Sequence, residues 1–153
     1  MRAAAERVIV SQTAMAYFPD LGTTTQIASS PFVRAVGWLS VAASYPTGDT
    51  PPEFVRKLRV FASQWGASTV ALGWPAAGGW HTCEMCGKVH ASGNFGVPSG
   101  DLLYVAPEMV AHYVEAHRYA PPEGFVAAVL ACPHPEASEY ARAVEPFVLV
   151  EAG

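Results

Sequence analysis

Trp80-His81-Thr82-Cys83-Glu84-Met85-Cys86-Gly87, followed along the chain by His112-Tyr113-Val114-Glu115-Ala116-His117, is the stretch on which the fold turns. Two cysteines separated by two residues can grip one ion from a single tight turn. Zinc favours four sulfur and nitrogen donors in a tetrahedron, and a thiolate pair with a histidine pair supplies them. Gly87 stands directly after the second cysteine, where a residue able to take positive φ lets the chain curl back. The expected ligand set is Cys83, Cys86, His112 and His117, holding a structural Zn2+.

The histidine pair belongs on a helix. Pro107 suits a first helical position, and Met109, Val110, Tyr113, Val114 and His117 form an apolar stripe at helical spacing. His112 and His117 are five positions apart, which leaves them roughly 140° apart around a regular helix. Both reach one ion only if the last turn tightens or loosens, and Pro121-Pro122 ends the helix where that distortion is needed. His81 and His90 flank the thiol pair and either could replace one of the helix histidines. A Cys-x-x-Cys can also be a redox pair, but the helix start and βαβ setting of that chemistry are not seen here.

The bulk composition agrees with a compact chain. Its 153 residues suit one domain, spanning 1–153, with the metal subregion at about 80–120. Charged residues are 14% and hydrophobic ones 51%, which argues against disorder. A net charge of −4, with only Arg118 as a cation beside the histidine helix, argues against nucleic acid as a partner. No apolar run approaches the roughly 18 residues of a membrane span, and no signal peptide is read at the N-terminus. Three cysteines, two of them in metal spacing, fit a reducing, cytoplasmic setting and not a disulfide framework.

The rest of the chain is read as α+β, with a short mixed or antiparallel sheet and three to four helices. Val8-Ile9-Val10 opens as a strand that could pair with a terminal strand at 146–150. A turn follows at Pro19-Asp20-Leu21-Gly22, then a loop, and a short strand lies within 32–41. Thr50 is expected to cap a helix whose Glu53 completes a capping box, with Phe54, Leu58, Phe61 and Trp65 on its apolar face and Gly66 ending it. Residues 68–72 read as a strand. The loop 73–80 carries Trp74 and Trp80, which are expected to cover the zinc turn. Lys88-Val89-His90-Ala91 runs back as a hairpin arm, turns fall at 92–96 and 97–101, and Leu102-Leu103-Tyr104-Val105 is a strand. Helices follow from Pro121-Pro122-Glu123 and over 136–144, with Cys132-Pro133-His134-Pro135 between them as a loop. A thiol turn, a hairpin and a ligand-bearing helix in that order resemble a treble-clef or zinc-ribbon arrangement.

Trp80-His81-Thr82-Cys83-Glu84-Met85-Cys86, Leu103-Tyr104-Val105-Ala106-Pro107-Glu108, His112-Tyr113 with His117, and Pro121-Pro122 together resemble a group of uncharacterised bacterial proteins with the pattern W-H-x-C-E-x-C, L-Y-V-A-P-E, H-Y-x-x-x-H. The resemblance covers the second half of the chain and implies a bacterial cytosolic protein with a shared metal site, and no activity.

Two functions fit. A closed four-ligand zinc leaves no position for water, which points to a zinc-stabilised binding or regulatory protein whose partner is another protein. The alternative is a hydrolase-type metalloenzyme in which Glu115 or Glu84 serves as general base beside a metal-bound water. The order His-x-x-Glu-x-His is not the His-Glu-x-x-His of zinc proteases, and the His-x-Glu of zinc deaminases is missing.

Overall fold

A computed structural model describes residues 17–75 and 80–148. The architecture is α+β, with five α-helices and two small sheets among the described residues. The strands are β1 (Val33–Ala35), β2 (His81–Thr82), β3 (His90–Ala91), β4 (Asn94–Ser99) and β5 (Leu102–Pro107). The helices are α1 (Pro52–Ser63), α2 (Trp65–Leu72), α3 (Val110–His117), α4 (Glu123–Ala131) and α5 (Ser138–Val144).

The central sheet has the order β1-β5-β4 and is mixed. β1 runs parallel to β5, pairing Val33 with Leu103, and β4 runs antiparallel, pairing Gly96 with Val105. β4 and β5 are joined by a turn in which Gly100 takes a φ of +57°, a conformation that favours glycine. This hairpin is longer than the sequence suggested: residues 94–99, expected as turns, extend it, because Phe95 and Val97 find burial on one face. β2 and β3 form a separate antiparallel pair.

α1 presents Phe54, Leu58, Phe61 and Ala62 to the core. Phe61 stacks on Phe95 of β4 at 5.6 Å, and Phe54 meets Phe125 of α4 edge-on at 6.1 Å, a geometry that aromatic quadrupoles favour. The expected capping box does not form. Pro51 is the N-cap, Pro52 begins the helix, and no side chain caps it; a proline at the first helical position has no amide hydrogen to satisfy. Lys57 reaches from α1 to the end of α4 and donates to the carbonyls of Leu130 (2.8 Å) and Cys132 (3.1 Å), satisfying acceptors that a helix end leaves open.

The segment expected to be a strand at 68–72 is the second half of α2. The chain pivots at Gln64 and restarts as helix at once, so Gly66 lies inside α2, and Gly73 (φ +72°) ends it. Ser68, Thr69 and Leu72 share its buried side. The polar members are satisfied locally: Thr69 donates to the Gly66 carbonyl, and Ser68 joins Tyr140 and the Gly96 backbone in a buried ring of hydrogen bonds. Pro107 ends β5 instead of starting the next helix, pairing with Asn94 at the sheet end. Residues 145–147 form a 3-10 turn, not a strand; the expected strand at 8–10 and its partner at 149–150 lie outside the described residues. Among the described residues no helix is long and apolar enough to cross a membrane.

Candidate metal centre

The β2–β3 pair is the frame of the site. Its register sets Thr82 opposite His90, and the Cys83 amide donates to the Val89 carbonyl at 2.9 Å, closing the hairpin around residues 83–89. Gly87 takes φ +69°, as its position after Cys86 implied, and its amide turns back onto the Cys83 carbonyl at 2.8 Å. The thiols of Cys83 and Cys86 are thereby brought to one side of the turn. Cys83 is fully buried and Cys86 half-buried.

α3 supplies the facing pair. Its last residue is His117, and Arg118 follows in the left-handed region at φ +56°. The amides of Arg118 and Tyr119 both donate to the Tyr113 carbonyl. These bonds reach five and six residues back, wider than the four of a regular helix. The last turn loosens, which is what two histidines five positions apart require to face one point. The rings lie 4.9 Å apart and nearly perpendicular.

The four donor atoms converge. Cys83 Sγ lies 3.5 Å from His117 Nε2, and Cys86 Sγ lies 3.4 Å from His112 Nε2. All four ligand atoms fall within 4.8 Å of one another. Bonds of about 2.3 Å to sulfur and about 2.0–2.1 Å to nitrogen, at tetrahedral angles, separate neighbouring donors by about 3.5 Å. The residues therefore fit a tetrahedral ion. Two isolated thiol–imidazole hydrogen bonds would explain each short pair but not the convergence of both pairs.

The surroundings of His112 favour its neutral form. Burial lowers the His112 pKa, the neighbouring His117 lowers it further, and Glu115 opposes them; the net direction keeps the imidazole neutral, as a ligand must be. Burial, helped by the negative charges of Cys83, Glu84 and Cys86, raises the Tyr113 hydroxyl far above its usual range. Tyr45 was not singled out in the sequence. Its hydroxyl lies 3.0 Å from the His117 carbonyl, to which it donates, and 3.5 Å from the Met85 sulfur. It thus ties the end of α3 to the tip of the thiol turn, and no local pattern around Tyr45-Pro46-Thr47 announces that role.

The competing residues stand elsewhere. His90 is exposed, stacks on Trp80 at 5.6 Å and pairs its Nδ1 with the Thr82 hydroxyl at 2.8 Å. His81 is half-buried, with its pKa lowered by burial, and it is not among the converging four. Cys132 is buried at the end of α4, its thiol pushed up to about 12 by burial, and His134 accepts the Glu136 amide. Trp74 is buried, but Trp80 does not cover the site as expected: it is 71% exposed. Glu84 accepts the Val41 amide at 3.0 Å. Glu115 takes a two-pronged grip from Arg59, which lowers its pKa.

The sequence profile of a domain of unknown function, DUF7919, matches residues 16–130. The chain belongs to this family. The region matched to DUF7919 contains all four converging residues and ends before Cys132. Among curated proteins and solved structures, none matches the chain.

Proposed function

We propose that this DUF7919 domain is a zinc-stabilised binding or regulatory protein that acts through contact with another protein. Cys83, Cys86, His112 and His117 hold the ion, which supplies cross-linking between the β2–β3 turn and α3 in a treble-clef-like arrangement. The observation that carries the reading is the four-donor convergence within 4.8 Å: a tetrahedron filled by protein is a closed site. Zinc is favoured over harder cations because two of the donors are sulfur. The thiolates suit a reducing compartment such as the cytoplasm.

The hydrolase alternative has less support. A general base must face a metal-bound water, yet Glu115 is turned to Arg59 and Glu84 to the Val41 amide. Elemental analysis and X-ray absorption on protein purified without a histidine tag test the reading. One zinc per chain with two sulfurs and two nitrogens is the expected result. Three protein ligands plus an oxygen would move the case to an enzyme, and a metal-free protein would remove the structural zinc.

A further inference from the structure

Among the described residues, the β2–β3 pair leaves one edge open beside a groove. In an antiparallel pair, hydrogen-bonded positions alternate with positions whose backbone groups point outward. The Cys83 amide bonds the Val89 carbonyl, so 83 and 89 form a bonded pair, and Thr82 opposite His90 is the non-bonded one. The amide and carbonyl of His90 therefore point away from β2. Among the described residues they meet no backbone partner.

A groove of about 460 Å³ runs along this edge, within the range of ligand pockets. Val89, His90 and Ala91 line it in succession, although their side chains alternate between two faces, so the wall they build is the strand edge itself. The facing walls are α1 through Ala62 and Ser63, and α3 through Ala111. Its carboxylates are Glu108 and Glu115, and its cation is Arg59, which Glu115 already neutralises. Glu108 accepts the amides of Ser92 and Gly93, capping the edge just beyond His90. The remaining charge along the groove is negative.

We infer that this groove takes an extended, basic segment of a partner protein, which adds to the edge of β3 at His90 as a further strand. The inference rests on the binding-protein reading above and names the site and the chemistry of the partner. Strand addition draws affinity from main-chain hydrogen bonds and specificity from alternate side chains. Inward residues of the segment meet the small apolar wall of Ala62 and Ala111, and a lysine or arginine answers Glu108. Outward residues lie beside the exposed Trp80–His90 stack.

The test selects peptides from a phage-displayed library of random linear sequences on the zinc-loaded full chain, then measures synthetic peptides against variants. His90→Pro removes the edge donor without touching the backbone bonds to β2, since proline is tolerated where an amide faces outward; the side-chain bond from His90 to Thr82 is lost in both His90→Pro and His90→Ala. His90→Ala keeps the donor and controls for the lost ring. Ser63→Trp fills the groove from an exposed position. The expected result is Lys/Arg-enriched peptides that bind His90→Ala nearly as well as the parent. They bind His90→Pro about five-fold or more weakly, the value of one backbone hydrogen bond, and they fail on Ser63→Trp. Equal binding to His90→Pro and His90→Ala, or undiminished binding to Ser63→Trp, would overturn strand addition. So would acidic consensus peptides, or a His90 amide already protected from exchange in the peptide-free chain. Zinc content is read on the same samples. A zinc-loaded chain that selects no peptide overturns the groove alone, and a zinc-free chain that binds peptide supports the groove while overturning the metal.

Discussion

Removing the metal should release the 80–91 hairpin and leave the β4–β5 core folded. The perturbation is chelation, or Cys86→Ser, which deletes a half-buried ligand without opening the core. β2 and β3 are two residues each and pair only with one another among the described residues. A two-stranded hairpin is at best marginally stable in water, so on its own it protects its amides by no more than about tenfold, or about 1.4 kcal/mol. With a structural zinc in place, opening the hairpin breaks a site whose apparent binding free energy is about 10–16 kcal/mol in zinc-finger peptides. Protection then rises to the ceiling set by global unfolding, about 5 kcal/mol or more. The difference of at least about 3.5 kcal/mol is a drop of more than a hundredfold in amide protection on metal removal. The core does not share that dependence, because Phe54, Phe61, Phe95, Phe125 and Tyr140 are buried against one another on the other elements. Hydrogen exchange read by mass spectrometry resolves the two regions. Unchanged protection over 80–91 after verified metal loss would refute the claim that the ion holds the hairpin.

Three further perturbations probe the frame. Gly93→Ala places a Cβ 2.2 Å from the Trp65 indole, so the ring must shift; a loss of about 1–3 kcal/mol is expected by denaturant titration, and a neutral result would mean that Trp65 is not held there. Tyr140→Phe removes the hydroxyl that donates to the Gly96 carbonyl and meets Ser68 at 2.7 Å, and stranding those buried groups should cost about 1–3 kcal/mol in the same assay. Cys132 should resist iodoacetamide at neutral pH in the folded chain, since its thiol is pushed up to about 12 from 9.0. The fold keeps a proton that the unfolded chain releases, so this thiol's contribution to stability is full below pH 9, falls as pH rises from 9 toward 12, and disappears in Cys132→Ala.

The parts of the fold that were legible are those where one local signal has no rival. Leu102-Leu103-Tyr104-Val105 is a run with strong strand preference between turn residues, and it is the central strand of the mixed sheet. Pro121-Pro122-Glu123 opens a helix as read. Residues 65–72 misled because Thr69 and Val70 are β-branched and Gly66 looks like a helix end. What decides the segment is distant: Leu72 packs against the backbone at Gly96, and Ser68 bonds the Gly96 amide. Tertiary contacts of that kind override propensity and leave no mark in the local sequence. Thr50 misled for the opposite reason, since a prolyl first turn starts the helix with no need of a hydroxyl cap.

The convergence of Cys83, Cys86, His112 and His117 could be read because metal-type spacing narrows the choice to a few residue types, and because the five-residue gap between His112 and His117 forced a specific distortion that the structure contains. The edge of β3 could not. Which way the His90 amide points depends on the register of a hairpin, and a slip of one residue would turn that amide inward and Ala91 outward. The register itself follows from Cys83 bonding Val89 across the thiol turn. The same turn that gathers the ligands thus sets which backbone groups face the groove, so loss of the ion should erase the binding edge together with the hairpin, while loss of the edge through His90→Pro should leave the ion in place.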